Sequence, residues 1–238
     1  MRLLRALLAE ALGTLLLLAT VVGSGIMGVR LAQGNDGIVL LANAGATAAI
    51  LYVLIVVFGP TSGAHFNPAV TLAMRIRGAI DTRTAMAYVV VQVMAAIIGV
   101  ALAHAMFDQA LLQPGTHARE GAGQWLSEGV ATFGLLLTIL LGAAHRPAAV
   151  PALVGAYIFA AYWFTGSTSF ANPAVTLARS LTQSFAGIRP TDVPAFMASQ
   201  FAGMGLAVAV AAILARNDVE ADSGGQYLGD APTIPEDQ

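Results

Sequence analysis

The string Asn-Pro-Ala-Val-Thr-Leu-Ala occurs twice in this chain of 238 residues, at Asn67–Ala73 and at Asn172–Ala178. Seven identical residues do not recur by chance at this length, so the two halves are copies of one unit. Further pairs keep the same order. Glu10 within Leu8–Thr14 is matched by Glu128 within Leu126–Thr132, and Gln92 is matched by Gln200. The first copy holds extra residues between its Glu and its motif, placed near Gly28–Gly37.

Composition says where such a repeat can fold. The chain is 57% hydrophobic and 10% charged, with a mean hydropathy of +0.75. A soluble domain carries about 25% charged residues, so a water-soluble globular enzyme is excluded. Six apolar stretches, about 4–27, 38–58, 84–107, 123–144, 150–166 and 193–215, approach the roughly 20 residues that cross a bilayer. The fifth is at the lower limit. Arg2 and Arg5 ahead of the first give it the look of a signal peptide, but Glu10 interrupts the run and the segment recurs in the second copy.

Each copy therefore holds three spans, and an odd number forces the second copy to enter the membrane upside down. The expected fold is an all-α membrane protein with an inverted-topology repeat, about 4–107 and 123–215, in one transmembrane domain over 1–216. An even total puts both termini on one side. Arg2, Arg5, Arg75, Arg77, Arg83, Arg146 and Arg216 fall there; Arg30, Arg119, Arg179 and Arg189 fall on the other. The positive-inside rule makes the termini cytoplasmic. Residues 217–238 carry Asp218, Glu220, Asp222, Asp230, Glu236 and Asp237 with no Arg, and read as a disordered acidic tail.

Other chemistries find no support. The chain has no cysteine, hence no disulfide, thiolate metal site or cysteine nucleophile. His65, His104, His117 and His145 show no metal-ligand spacing, and no nucleophile–base pair can be placed. No cofactor, metal or catalytic residue is expected. No basic face with interleaved aromatics suggests nucleic acid. Trp125 reads as an interfacial anchor, and Trp163 as a lipid- or subunit-facing aromatic.

Each motif follows a small, polar stretch, Gly59–His65 and Gly166–Ser169, and precedes an apolar run ending at an Arg. Asn is a preferred N-cap and Pro suits the first helical position, so Asn67-Pro68-Ala69 and Asn172-Pro173-Ala174 each start a short helix. Ten residues rise about 15 Å, half the hydrocarbon thickness. Two half-helices dipping in from opposite faces would meet by their N-termini near the midplane. Non-helical backbone survives at that depth only beside a water-filled cavity or inside protein. Each Asn would spend its oxygen on the cap and leave its NH2 for a passing solute. Two positive helix ends beside a narrow pore disfavour cations, so neutral hydrogen-bonding solutes should fare best.

At these residues the chain resembles the aquaporin (major intrinsic protein) family over about residues 4–215. The resemblance implies six helices and two re-entrant half-helices around one pore per subunit, in a homotetramer embedded in lipid. It makes Asn67 and Asn172 the paired pore asparagines. Glu10 and Glu128, with His65, would brace the loops, and Ala64, His65, Thr168, Ser169 and Phe170 would form the carbonyl ladders. The selectivity filter falls at Thr47, Ala160, Ser169 and Val175. Most of the family has Arg where this chain has Val175, so the filter is expected to be wide, uncharged and free of aromatics. Arg179, one turn on, could stand in for that Arg, but capping of its own half-helix is the favoured reading.

Such a filter looks like that of the aquaporins encoded in bacterial arsenic-resistance operons, the AqpS type. That resemblance implies passage of glycerol-like polyols, As(OH)3 and methylated arsenicals besides water, across a bacterial inner membrane. A mainly water-conducting channel is the alternative. A further one is an inverted-repeat secondary transporter with Glu10 and Glu128 as proton relays.

Overall fold

The computed structural model describes residues 1–223, with side chains as far as Ala215. In chain order the helices are α1 (Arg2–Leu31), α2 (Asp36–Ser62), α3 (Pro68–Ile76), α4 (Thr82–Met106), α5 (Ala122–His145), α6 (Val150–Phe164), α7 (Pro173–Arg179) and α8 (Val193–Ser223). Among the described residues six segments are long and apolar enough to cross a membrane, as the sequence predicts. The short fifth span reaches sufficient length because the 3-10 turn Pro147–Ala149 extends α6 into an 18-residue segment. Helix α8 runs on through Ser223, so residues 217–223 of the expected tail are helical; 224–238 lie outside the described residues.

The extra length of the first repeat goes into helix rather than loop. Helix α2 has 27 residues where its counterpart α6 has 15, and the α1–α2 turn is only Ala32–Asn35. Asn35 caps α2 by accepting from the Ile38 N–H at 3.2 Å. Asp81 caps α4 through the Thr84 N–H at 3.0 Å.

The repeat is visible in the packing. Helix α1 lies against α4, α5 lies against α8, and α2 bridges the halves to α6. Glycine makes the close approaches. A Cβ on Gly99 of α4 would meet the Leu15 carbonyl of α1, and one on Gly203 of α8 would meet the Gly129 carbonyl of α5. In lipid, where apolar surface gives no drive to associate, such small-residue contacts supply the packing energy.

The half-helices are shared between the repeats. Ala174 and Ala178 of α7 pack into a core with Leu18, Val22 and Val100 from α1 and α4. Ala69 and Ala73 of α3 pack with Leu136 and Ala207 from α5 and α8. Each half-helix thus packs on the other repeat's long helices as well as on its own, which fixes the two motifs against each other.

Candidate functional site

The sequence Asn-Pro starts both half-helices as expected. Asn67 accepts from the Ala69 N–H at 2.8 Å; Asn172 accepts from the Ala174 and Val175 N–H groups at 3.0 and 3.3 Å. Pro68 and Pro173 are the first helical residues. The amide nitrogens differ from expectation, because they are not wholly free. Asn67 Nδ2 donates to the Ala171 carbonyl, and Asn172 Nδ2 donates to the Phe66 carbonyl, both at 2.8 Å. Each motif clasps the loop of the other. One of the two protons on each amide is used, leaving one per Asn for a solute.

The loops entering the motifs are bent against intrinsic preference. Ala64 and Phe66 in the first, and Thr168, Ser169 and Ala171 in the second, have φ between 49° and 61°. Left-handed backbone costs a non-glycine residue roughly 1–3 kcal/mol and persists only when its surroundings impose it. The buried glutamates impose it. Glu10 accepts from the His65 N–H (2.9 Å), Phe66 N–H (2.7 Å), Ser62 hydroxyl (2.7 Å) and Gln92 amide (2.8 Å). Glu128 accepts from the Phe170 N–H (2.8 Å), Ala171 N–H (2.9 Å) and Gln200 amide (2.6 Å). Gln92 and Gln200 also donate to Thr71 and Thr176 on the half-helices. Both oxygens of each carboxylate are thereby engaged, Glu10 and Glu128 each tying a loop to a neighbouring long helix. His65 adds a contact from its Nδ1 to Thr71 Oγ1 at 3.1 Å.

A narrow cavity of about 70 Å³ runs between the repeats. Its polar lining includes Asn67, Asn172, Thr47, His65 and Ser169; Leu17, Val21, Leu51, Ile55, Leu135 and Ile158 make it otherwise apolar. Ala64, Phe170 and Val175 line it too. Thr168 is not in the lining, and its hydroxyl lies 3.4 Å from Arg119 Nη1.

Ala160 is the filter position that the structure corrects. It is exposed on the outside of α6 and does not line the cavity, whereas Tyr162 is buried and does. Two residues along a helix are about 200° around it, so the two side chains take nearly opposite sides. The Tyr162 hydroxyl lies 3.2 Å from Thr47 Oγ1. An aromatic therefore stands at the expected aromatic-free filter.

Arg179 is the second correction. It is 1% exposed, lines the cavity and does not cap α7. Its Nε donates to the Ala186 carbonyl, and its guanidinium sits 3.3 Å from the centre of the Phe170 ring. Arg119, from the loop before α5, lies 4.9 Å from the same ring centre and donates to the Gly187 and Ser167 carbonyls. Burial holds the Arg119 guanidinium below its ordinary range. Tyr162 and Arg119 carried a weak signal in the sequence: one of two tyrosines in an apolar span, and an Arg on the less basic side.

Comparison with known proteins follows this geometry. The profile of the family described as Major intrinsic protein matches residues 1–169. The chain belongs to the major intrinsic protein family. Major intrinsic proteins similar to it include "Aquaglyceroporin AqpS" of Rhizobium meliloti (strain 1021), 56% identical over 87% of this chain and 88% of the relative. "Probable aquaporin TIP2-2" of Oryza sativa subsp. japonica is 32% identical over 86% of this chain and 84% of its own. The X-ray structure of the aquaglyceroporin from Plasmodium falciparum shares the fold, with a TM-score of 0.67 and 18% identity over 88% of this chain and 93% of that one. The protein is an integral membrane channel, not an enzyme.

Proposed function

We propose that this channel passes small uncharged hydroxylated solutes down their gradients: glycerol-like polyols, As(OH)3 and its methylated forms, and water. The observation that carries this reading is the lining of the cavity. An apolar wall bears a few convergent polar groups, namely the two motif asparagines, the Thr47–Tyr162 pair and Ser169, whose buried hydroxyl has no partner. A neutral polyol exchanges its hydration for such groups while its carbon or arsenic core rests on the apolar side. Val175 stands where most of the family has Arg, which leaves room at the second motif. The printed name of the 56%-identical relative, an aquaglyceroporin, points the same way.

A mainly water-conducting channel is the second reading, and Tyr162 favours it, because its ring and hydroxyl narrow the cavity opposite Thr47. Stopped-flow light scattering of reconstituted vesicles separates the two. Under inward gradients of glycerol or As(OH)3, shrinkage followed by rapid protein-dependent reswelling is expected. Accelerated shrinkage without reswelling would establish the water channel instead. The same reading places the chain as a homotetramer in a bacterial inner membrane with both termini cytoplasmic. The large exposed apolar side chains on α1, α4 and α5 offer the surface for lipid and neighbouring subunits.

A further inference from the structure

Val175 leaves the position after the second motif uncharged, which by itself would open the pore to cations. Arg179 lies four residues further along α7, one helical turn or about 6 Å toward the mouth opposite the chain termini. It is a buried guanidinium in the cavity wall, and its Nη1 has no hydrogen-bond partner. A buried, unpaired donor costs stability unless something else uses it. Ser169 Oγ, also buried and unpartnered, lines the same cavity.

We infer that Arg179 is the cationic constriction of this pore, set one helical turn outward from the place that Val175 occupies. The inference rests on the channel reading above and adds the group that decides charge selectivity. Arg179 is fixed rather than mobile, with its Nε on the Ala186 carbonyl and its face on Phe170. The charged groups that bear on it are Arg119 and Glu128. Glu128 is outside the lining, with its oxygens committed to the Phe170 and Ala171 N–H groups and to Gln200. Arg119 adds a second positive charge behind the same aromatic ring. A cation in this mouth meets the Arg179 guanidinium, with the field of Arg119 added from outside the lining. A neutral solute instead finds the unpaired Nη1 as a donor for its oxygen.

A fixed unit charge about 5 Å from the path, at an effective dielectric constant of about 20, changes monovalent cation passage on the order of 100-fold. Proteoliposomes loaded with K⁺ test this, with glycerol reswelling followed on the same preparation. Wild type is expected to conduct glycerol and to leak K⁺ no faster than empty vesicles. Arg179→Gln and Arg179→Met, the second keeping an unbranched stem, are expected to remain monodisperse in detergent and to raise K⁺ leak on the order of 100-fold. Arg179→Lys is expected to keep exclusion, and the double variant Val175→Arg/Arg179→Gln to restore it. Wild type leaking K⁺ would overturn the inference without any variant. So would a monodisperse Arg179→Gln or Arg179→Met that excludes K⁺. Wild type passing no glycerol would instead sink the proposed solute range, and leave the K⁺ readout to judge the constriction.

Discussion

In the first re-entrant loop the Glu10 carboxylate takes up the amides of His65 and Phe66; in the second, Glu128 takes up those of Phe170 and Ala171. The glutamines, threonines and asparagines behind them repeat the same bonds. The mouths repeat the ring geometry but not the charge. The His65–Tyr88 ring pair beside the first loop, with centroids 5.4 Å apart, has its equivalent in Phe170–Phe196 beside the second, at 5.3 Å. At the second, the Arg119 and Arg179 guanidiniums lie against the Phe170 ring. The cores under the loops differ too. Gly13 makes room for the Phe66 ring, while its counterpart Ala131 faces the second half, where Ala171 replaces Phe66. Symmetry is kept where a strained backbone must be held and dropped where solute meets the wall.

The largest effect should come from breaking the shared brace. Glu10→Gln and Glu128→Gln each put an amide NH2 against loop N–H groups, leaving buried donors unpaired at about 1–3 kcal/mol each. Both variants should lose folding yield, read as monodisperse protein after detergent extraction. Unchanged yield with an altered pH dependence of flux would make them proton relays instead.

Next in size is the asymmetry beneath the loops. Gly13→Ala drives a methyl into the Phe66 ring and should cost about 1–3 kcal/mol, as overpacking does. Gly13→Ala/Phe66→Ala copies the pairing of the second half and should recover much of the loss in thermal unfolding of detergent-solubilised protein. No recovery would show that the two halves are not interchangeable in volume.

A smaller, selective effect is expected at the wall. Val175→Arg should cut glycerol flux more than water flux in vesicle assays. Equal loss of both would remove Val175 from the filter.

The smallest effect lies at the surface. The Thr84 N–H and hydroxyl hold the Asp81 carboxyl below the usual carboxylate range. Its contribution to the α4 cap is therefore complete above the ordinary carboxylate pKa of about 4 and is lost as pH falls through the lowered value. The protection of the Thr84 amide against hydrogen exchange, relative to its intrinsic rate, should fall in that acid range, and Asp81→Asn should abolish the dependence.

The spans, the inverted repeat, the half-helix starts and the pairing of Glu10 with Glu128 were legible because each rests on local chemistry or on repetition. The side of α6 that faces the cavity was not. Counting back from Asn172 to Ala160 treats the intervening loop as fixed, and a shift of two residues turns the helix through about 200°. Arg179 was legible as a residue but not as a wall. Its position depends on the loop that returns the Ala186 carbonyl to it, a contact that dipole reasoning about α7 alone does not contain. The clasp between Asn67 and Ala171 needs both repeats folded together, so a single motif could not disclose it.

The absence of cysteine makes the pore wall directly testable. Single cysteines placed at Ala160, Tyr162 and Val175 can be challenged with a small thiol reagent while water flux is followed, with the unmodified chain as the insensitive background. The structure predicts block at Tyr162→Cys and Val175→Cys and no effect at Ala160→Cys. Block at Ala160→Cys with Tyr162→Cys untouched would contradict the wall described above.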